Sequence, residues 1–426
     1  MTTDPAWVLV PQNRWDLLPA APAPTVTVVV THYEQPDQLA RVLVALDEQT
    51  HPGLDVVVSD DGSRTAPAVP PLVRLVRQQD RGFRAAAARN LGAAASSAEV
   101  LVFLDADTVP EPGFVTALVR HAAACPDVLA VGRRRHADLS GSGDELPEPA
   151  WLVDAYADSR DLLDADGRSF RHVISAVMAC RRTLFEDLGG FDERFFGYGG
   201  EDWDLAYRAW NAGAVLVHER DAVAWHDGPE WADRDGDPAR KQQETARLAA
   251  LIPEPSTRGA PLPTLLPDVL VDVAAYDPRA VHALLRQEHR DLQVRVEGAG
   301  ELHAGAVRSL PWTQDQRRRA RVRLALEQPV ALAPHVVGEV VRRLTDGGLG
   351  EVVLEVDGRR VGVAQSTRAL GRARRWAGWQ GALAGSDVAG SDVVGLAFGR
   401  DRVEVEPVPP RDDLAGFLAA AWAPDR

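Results

Sequence analysis

Three short apolar runs, two of which end in acidic residues, constrain the fold more than any other feature of this sequence. The runs are "TVTVVVTHY" (25–33), "DVVVSD" (55–60) and "VLVFLD" (100–105). β-Branched runs of this length are typical of buried strands. After the first run, Leu39, Val42, Leu43 and Leu46 share one face of a helix predicted from Asp37 to Gln49. Strands that alternate with helices predict a largely parallel, doubly wound sheet.

The acidic turns after these strands indicate where a ligand binds, because open α/β sheets bind ligands beyond the carboxyl ends of their strands. Asp60, Asp61, Asp105 and Asp107 all follow predicted strands. The spacing in "LDAD" suits a hard divalent cation held by few protein ligands. An isolated "DAD" is more often an Asx turn without a metal. The "DDGS" turn is by itself an ordinary turn sequence.

The stretch "RGFRAAAARNLGAA" (81–94) contains three arginines at the start of a predicted helix. Guanidinium groups suit diphosphate oxygens because they form bidentate hydrogen bonds. A basic helix face in contact with solvent explains Arg81, Arg84 and Arg89 equally well. Both interpretations remain open from these residues alone.

A glycine-rich turn leads into a helix in "FFGYGGEDWDLAYRAWNAGA" (195–214). Gly199 and Gly200 permit a tight or mobile backbone. Glu201 and Asp202 follow at the predicted helix N-terminus, where the helix dipole favours negative charge. Capping explains one of the two carboxylates but not both. Downstream, His226 in "VAWHDG" is either a structural histidine, the commoner case, or a ligand.

Composition excludes several classes of protein. The formal net charge of −15 and the pI near 5.2 argue against a nucleic-acid partner. No apolar run approaches the roughly 20 residues that cross a bilayer, and the first residues lack signal-peptide features. We therefore expect cytoplasmic residence, which includes peripheral contact with a membrane. The two cysteines, Cys125 and Cys180, are too few for a disulfide framework and are expected to be buried thiols.

A proline-rich segment divides the chain. Five prolines fall between residues 252 and 268, which is typical of a linker. The predicted organisation is a leader (1–24), a first domain (25–255), a linker (256–267) and a smaller α/β domain of unassigned role (268–426). In the second domain we expect a strand at "VLVDVAAY", helices at 278–289 and within 334–348, and a hairpin around Asp357 and Gly358.

A basic stretch in the second domain, "TRALGRARRWAGW" (367–379), allows two interpretations. Its arginines and tryptophans suit an anionic or glycan acceptor. A solvated helix face is the commoner explanation and is the one we favour. The residues concerned are Arg368, Arg372, Arg374, Arg375, Trp376 and Trp379.

In their order along the chain, these motifs resemble the family 2 glycosyltransferases, which have the nucleotide-sugar-binding GT-A fold. The resemblance covers about residues 25–230 and rests on the first strand and helix, "VVVSDDGS", "RGFRAAAARNLGAA", "VLVFLDADTVPEPGF" and the segment from "LFEDLGGFDERFFGYGGEDWDL" onwards. The last segment resembles a galactosyltransferase-type C-terminal block. The implied fold class is α/β, a GT-A domain with a mixed, doubly wound sheet, followed by the second, smaller α/β domain.

The resemblance implies roles for individual residues. Thr31, Tyr33 and Glu34 line the nucleotide pocket, Asp61 reads the base and Arg84 lies near the diphosphate. Asp105 and Asp107 form the DXD motif, in which Asp107 is the more direct metal ligand and Asp105 is oriented toward ribose or metal. Asp202 is the catalytic base, and His226 completes the metal site in some relatives. Gly199 and Gly200 close the loop over donor, and Glu201 binds a sugar hydroxyl beside the base.

The implied function is a metal-dependent inverting glycosyltransferase that uses Mn²⁺ or Mg²⁺. Its donor is a nucleotide sugar, with a UDP-hexose or UDP-N-acetylhexosamine favoured and GDP or dTDP left open. The acceptor is a hydroxyl on a glycan, a lipid-linked molecule or a small molecule. A nucleotidyltransferase is a weaker alternative, because no glycine-rich loop carries a lysine for a triphosphate. A catalytically inactive sugar-nucleotide binder would have lost the acidic motifs, which are intact here.

Overall fold

The computed structural model describes residues 7–197, 199–228, 238–259, 266–296, 307–380 and 398–405. The chain divides into two compact units. The first contains residues 1–210 and 214–248, and the second contains residues 211–213 and 249–426. The boundary falls in the last turn of the helix Pro238–Leu251. The domain limits predicted from the sequence stay a prediction.

The first unit is built on one mixed sheet. Its strands are β1 (Val26–His32), β2 (Leu54–Asp60), β3 (Arg74–Arg77), β4 (Val100–Asp105), β5 (Thr108–Pro110), β6 (Val128–Ala137), β7 (Glu145–Leu146), β8 (Val177–Arg181) and β9 (Val215–Asp227). The strand order is β3-β2-β1-β4-β8-β6-β9-β5, and β7 pairs with β6. The first four strands in this order are parallel, as the alternating pattern predicts. β8 and β5 run antiparallel to their neighbours, so the sheet is mixed.

The helices of this unit connect the strands. They are α1 (Pro36–Asp47), α2 (Ala85–Ala94), α3 (Phe114–Ala124), α4 (Ala150–Asp158), α5 (Arg182–Leu188), α6 (Glu201–Asn211) and α7 (Pro238–Leu251), with short 3₁₀ helices at Trp15–Leu17 and Ser169–His172. The predicted apolar face of α1 is buried at Leu39, Val42, Leu43 and Leu46. In α6, Leu205 and Ala209 are fully buried. These faces pack because a helical period of 3.6 residues aligns such positions on one side.

The second unit has its own sheet and core. Its strands are β10 (Val269–Val273), β11 (Leu292–Val296), β12 (Val307–Arg308), β13 (Val322–Leu326), β14 (Leu349–Val356), β15 (Arg359–Ser366) and β16 (Gly399–Glu404). Its helices are α8 (Pro255–Arg258), α9 (Pro278–Leu285), α10 (Gln314–Arg319), α11 (Val336–Thr345) and α12 (Thr367–Gln380). The strand order is β12-β11-β10-β13-β15-β14-β16.

Several predictions for this unit are confirmed by the structure. Strand β10 and helices α9 and α11 form where expected, with Pro278 at the first turn of α9. β14 and β15 form the antiparallel hairpin, and Asp357 and Gly358 both have positive φ, as a two-residue turn of this kind requires. The predicted α/β fold class, with a mixed sheet in the first unit and a second α/β unit, is therefore confirmed. Within the predicted linker, residues 256–258 belong to the short helix α8.

The solvated face that we favoured for residues 367–379 is wrong for Arg372, Arg375 and Trp376, whereas Arg374 is exposed and the side chain of Trp379 lies outside the described residues. Arg372 is fully buried, and Arg375 and Trp376 are less than a tenth exposed. The Arg372 guanidinium lies 5.1 Å from the centre of the Phe398 ring, a cation–π contact within the second unit. Long arginine side chains carry enough apolar surface to pack in a core. Their burial therefore cannot be predicted from their charge alone.

Two further expectations concern the cysteines and the membrane. Cys125 and Cys180 are free and buried, as predicted, and burial raises the pKa of the Cys180 thiol to about 12. Among the described residues, no helix is both long enough and apolar enough to cross a membrane.

A buried ion pair fixes the start of the second sheet. The Asp268 carboxylate, which is fully buried, accepts two hydrogen bonds from Arg321, at 2.6 and 2.7 Å. Burial raises the pKa of Asp268, but the charge and hydrogen bonds of Arg321, together with those of His289 at 3.1 Å, outweigh that effect and lower the pKa from 3.8 to about 2. The pair therefore stabilises the fold above pH 4 and loses its contribution as the pH falls toward 2.

We predict that Asp268→Asn lowers the free energy of unfolding by about 3–5 kcal/mol at pH 7, because it breaks the buried ion pair between Asp268 and Arg321. The change in the free energy of unfolding is measured from the urea-induced unfolding transition of the second unit. The deficit relative to wild type should shrink between pH 4 and pH 2. Asp401→Asn is the matched control, since Asp401 pairs with Arg343 at 2.5 Å on the surface and is 47% exposed. A deficit no larger than that of the control would contradict the prediction.

Candidate active site

The ends of the parallel strands bring the predicted acidic residues to one edge of the first sheet. In the parallel register, Thr31 lies opposite Asp105, and His32 lies opposite Asp60. The register follows from the burial of the apolar runs, because a shift of one residue would turn each strand's apolar side chains to the other face. The end of β1 therefore lies between the two acidic turns.

Asp61, the predicted base-reading carboxylate, is 2% exposed. It accepts a hydrogen bond of 2.7 Å from the backbone N–H of Arg84 and another from the Gln78 amide. Burial raises the pKa of Asp61, and the hydrogen bonds from Arg84 and Gln78 oppose that rise. The Arg84 side chain extends toward Glu193, with 3.6 Å between Nη2 and Oε2. Asp61 and Arg84 are thus brought together through the backbone of Arg84.

The turn after β1 contains the other residues predicted for the nucleotide pocket. Tyr33 is exposed, and the buried Oγ1 of Thr31 has no hydrogen-bond partner in the described part of the chain. Glu34 has a left-handed backbone, with φ of 54°. Its carboxylate accepts a 2.8 Å hydrogen bond from the backbone N–H of Arg64, which lowers the pKa of Glu34. Glu34 therefore links this turn to the turn after β2.

Asp107 and His226 lie side by side at the other end of the site. Asp107 directly precedes β5, which pairs with β9 at Thr108 and His226, and 3.7 Å separates Asp107 Oδ2 from His226 Nε2. His226 Nδ1 lies 3.1 Å from the Gly228 carbonyl. Because a carbonyl only accepts, Nδ1 carries the proton, and in the neutral imidazole the Nε2 lone pair faces Asp107. Two acceptors that face each other in this way suit a shared cation: the oxygen and imidazole donors together fit Mn²⁺, and the oxygen donors fit Mg²⁺.

Asp105 does not join this pair in the described structure. Its carboxylate instead accepts a 2.9 Å hydrogen bond from Arg89 Nη2, and Arg89 Nη1 donates to Glu201 at 2.9 Å. Consistent with this, the described residues contain no cluster of three or more His, Cys, Asp or Glu side chains suited to a metal. Of the three predicted ligands, the structure therefore brings together two.

Arg89 is the central residue of the site, although the sequence analysis offered it only as a diphosphate contact or as part of a basic helix face in contact with solvent, and the second interpretation is wrong. It is 4% exposed and connects the end of β4 with the first residue of α6. The signal was present in the sequence: Arg89 occurs among Ala85, Ala88 and Gly92, which form the buried face of α2. An arginine on an apolar helix face is expected to have a buried carboxylate partner.

Asp202 occupies the first turn of α6, as predicted, and is half-buried. Loss of hydration and the adjacent Glu201 charge raise the pKa of Asp202 from 3.8 to about 7. The backbone N–H of Trp203 donates to its Oδ1 at 2.8 Å and opposes that rise. A carboxylate with a pKa near neutrality is suited to accept a proton in a reaction.

The two predicted loop glycines have positive φ, 93° at Gly199 and 91° at Gly200. A Cβ on Gly199 would come within 2.8 Å of the Glu244 carboxylate, and one on Gly200 within 2.8 Å of the Phe195 ring. Both positions therefore require glycine. Burial and the Glu201 charge raise the pKa of Glu244, which the sequence analysis missed. No motif marks Glu244, because only the packing of α7 on the loop brings it here.

A separate cavity of about 270 Å³ lies elsewhere in the first unit. Its walls come from β6, α4 and β9 and include Arg133, Leu152, Tyr156 and His218. The Tyr156 and His218 rings stack at 3.6 Å, and His218 Nδ1 lies 2.8 Å from Asp161. None of the predicted site residues lines this cavity.

Two family models match the chain. Residues 27–189 match "Glycosyl transferase family 2", and residues 168–218 match "N-terminal domain of galactosyltransferase". The chain is 31% identical over 230 residues to validoxylamine A glucosyltransferase of Streptomyces hygroscopicus subsp. jinggangensis, covering 47% of this chain and 54% of that protein. It is 24% identical over 269 residues to hyaluronan synthase of Pasteurella multocida, and this match covers 55% of this chain and 28% of that protein.

Among solved structures, the chain is similar to the mannosyltransferase PcManGT from Pyrobaculum calidifontis, in complex with GDP-Man and Mn²⁺. The TM-score is 0.41 and the identity 22%, covering 55% of this chain and 68% of that one. The chain spans between about a quarter and about half of the length of the two curated relatives. The family match over residues 27–189 confirms the resemblance inferred from the motifs: this part of the chain is similar to the family 2 glycosyltransferases.

Proposed function

We propose that this protein is a metal-dependent inverting glycosyltransferase that moves a hexosyl or N-acetylhexosaminyl group from a UDP sugar to an acceptor hydroxyl. The observation that carries the proposal is the state of Asp202, a half-buried carboxylate at a helix N-terminus whose pKa is raised to about 7. Inversion in one displacement needs a single base opposite the leaving group. The family match supplies the reaction class.

The donor's nucleoside end is assigned to the turns after β1 and β2. Asp61 supplies a buried acceptor for a base N–H, and the adjacent Arg84 backbone fixes its orientation. Thr31 and Tyr33 lie at the end of β1, on the same edge, and offer a hydroxyl and an aromatic ring to the nucleoside. The Arg84 guanidinium is assigned to the diphosphate, since it has five donors and a delocalised charge.

The metal site is assigned to Asp107 and His226, with Asp105 in contact with ribose or metal. When bound, Mn²⁺ or Mg²⁺ would supply positive charge to the leaving diphosphate. The protein's own part is to hold the Asp107 carboxylate toward the His226 nitrogen. The Asp227 N–H to Asp107 carbonyl hydrogen bond, at 2.8 Å, fixes the backbone beside both residues.

Asp202 and Glu201 divide two tasks between them. Arg89 holds Glu201 through a charge-assisted hydrogen bond. In the described part of the chain no cation contacts Asp202 directly, and we assign Asp202 as the member of the pair that accepts the acceptor's hydroxyl proton. Glu201 is assigned to a sugar hydroxyl through its remaining lone pairs. Gly199 and Gly200 allow the neighbouring loop to close over donor.

The remaining assignments concern the rest of the chain. We propose that residues 25–255 hold all the catalytic groups and that residues 268–426 serve acceptor choice or assembly. The acceptor is a glycan, a lipid-linked molecule or a small molecule that bears a hydroxyl. We propose a cytoplasmic location, with contact at the membrane surface where the acceptor is lipid-linked.

The first test concerns the metal. Asp107→Ala should abolish Mn²⁺-dependent binding of UDP, measured by calorimetry, because the diphosphate charge would lose its counter-ion. Asp47→Ala removes an exposed carboxylate from the end of α1 and should leave binding unchanged. Wild-type UDP affinity in Asp107→Ala would refute the metal assignment, and a panel of GDP and dTDP run in parallel identifies the nucleotide.

The second test concerns the base. Asp202→Asn should reduce turnover by roughly 10²-fold or more while donor binding persists, because the amide cannot accept a proton. In wild type, kcat/KM should rise about tenfold per pH unit up to about pH 7 and then level off, since the base must be ionised. Turnover by Asp202→Asn equal to that of wild type would eliminate Asp202 as the base.

The same substitution, Asp202→Asn, is predicted to stabilise the fold while it reduces turnover. Because the pKa of Asp202 in the folded protein is above its ordinary value, ionisation of Asp202 lowers the stability of the fold as the pH rises from about 4 to about 7, and this loss persists above pH 7. Asp202→Asn should therefore raise Tm at pH 8 and leave it unchanged at pH 4. Asp154→Asn, at an exposed helix position, is the control and should change Tm at neither pH. A loss of Tm at pH 8 would show that the carboxylate is structural.

The third test concerns the two units. A chain truncated after Pro255 and shown to be folded by circular dichroism should still bind UDP and Mn²⁺. It should hydrolyse donor slowly, because water needs no acceptor-binding surface. A folded truncated chain that binds no nucleotide would show that residues beyond 255 complete the donor site.

A further inference from the structure

A chain of hydrogen bonds runs from the turn after β2 to the Asp107 carboxylate, through residues that no motif marks. Asp60 Oδ1 lies 2.8 Å from His32 Nδ1. His32 Nε2 accepts a 3.2 Å hydrogen bond from the backbone N–H of Gln35. The Gln35 side chain then donates from Nε2 to Asp107 Oδ2, also at 3.2 Å. Three side chains thus connect one acidic turn with the other.

The donors and acceptors in this chain are mutually consistent. An N–H group of Gln35 points at His32 Nε2, so that nitrogen is unprotonated and the proton is on Nδ1. His32 Nδ1 therefore donates to Asp60, whose lowered pKa keeps the carboxylate ionised and able to accept at both oxygens. Asp107 is likewise an acceptor, so the Gln35 amide presents its NH₂ group to it. Only one tautomer of His32 satisfies both contacts.

The inner part of the chain is rigid because it is buried and multiply bonded. His32 is 2% exposed and Asp60 is fully buried. Asp60 also accepts hydrogen bonds from Arg77 Nε at 2.8 Å and from the Ser63 backbone at 3.1 Å. Burial raises the pKa of Asp60, but Ser63, Arg77 and His32 together outweigh that effect and lower it. An ionised anchor of this kind holds the imidazole in one orientation.

The outer part of the chain acts on one oxygen of Asp107. Gln35 Nε2 donates to Oδ2, the same oxygen that lies 3.7 Å from His226 Nε2. A carboxylate that is free to rotate would present this oxygen to His226 only part of the time. The Gln35 amide thus favours the rotamer in which Asp107 and His226 face each other.

We propose that Gln35 and His32 are positioning residues of the metal site, in which Gln35 orients Asp107 toward the cation and His32, anchored on Asp60, fixes the backbone of Gln35. The inference rests on the proposed function, since it concerns the site assigned to Mn²⁺ or Mg²⁺. It adds two residues to that site and makes the turn after β1 part of the metal-binding apparatus as well as of the nucleotide pocket.

The test uses the full-length protein with UDP, or with GDP or dTDP if one of these binds instead. Mn²⁺ is titrated and its free concentration is followed by electron paramagnetic resonance. Gln35→Met keeps the side-chain length and removes the amide, so Kd for Mn²⁺ should rise about tenfold or more, as for other residues that orient a metal ligand. The nucleoside alone, which has no phosphate, should bind within about twofold of wild type, because the base-reading residues are untouched.

Gln38→Met is the matched control, since Gln38 lies on α1 three residues further on and makes none of these contacts. It should leave Kd for Mn²⁺ unchanged. If Gln35→Met also binds Mn²⁺ within about twofold of wild type while Asp107→Ala has lost binding, the positioning role is refuted and the metal site stands. If wild type binds Mn²⁺ no better than Asp107→Ala, the metal assignment fails and this inference fails with it.

A double-mutant cycle tests the role of His32. His32→Asn retains a donor where Nδ1 lies, so Asp60 keeps a partner, but the acceptor for the Gln35 N–H is lost. It should weaken Mn²⁺ binding by less than Gln35→Met does. Because His32 acts through Gln35, the double variant should bind Mn²⁺ no more weakly than Gln35→Met alone. Additive losses in affinity would overturn the link between the two residues.

Discussion

The candidate site depends on one buried guanidinium. Arg89 Nη1 and Nη2 each hold a carboxylate at 2.9 Å, Glu201 on α6 and Asp105 at the end of β4, while Arg89 itself lies on α2. Two neighbouring elements, α2 and β4, are thereby fixed to α6, which lies much further along the chain. A buried arginine is tolerated only when its charge is compensated, so the two carboxylates and Arg89 require one another. The same contact engages Glu201 and leaves Asp202 as the member of the acidic pair whose pKa is raised to about 7.

Burial and neighbouring charge together explain the raised pKa of Asp202. Loss of hydration is the larger cause, and the charge of Glu201, which is adjacent in sequence, adds to it. Arg89 opposes the rise, but its charge is shared between Glu201 and Asp105. Ionisation of Asp202 is therefore unfavourable in the folded state, and its cost to stability accumulates as the pH rises from about 4 to about 7.

The sequence predicted the parts of this site that depend on local patterns. Strand ends, the α6 N-terminus and the two glycines follow from apolar periodicity, helix-dipole preference and φ requirements, each of which acts over a few residues. The contacts of Arg89, Glu244 and Asp60 depend instead on which elements meet in space. Arg89 had a weak signal on the apolar face of α2, whereas Glu244 had none. The solvated-face interpretation of α12 failed for a related reason, because a run of arginines does not reveal that Arg372 is buried.

A comparison of the two sheets shows that the fold by itself does not produce the chemistry. The parallel strands β12-β11-β10-β13 repeat the order of β3-β2-β1-β4. Val26 pairs with Val100 in the first sheet, and Val269 pairs with Val322 in the second. By this register, Glu327 corresponds to Asp105 and Pro329 to Asp107. Glu327 accepts a 3.0 Å hydrogen bond from Arg360, and proline offers no side-chain ligand for a cation. The same framework therefore carries a metal-suited carboxylate in one unit and not at the equivalent position in the other, so the site residues, rather than the strand order, determine the function.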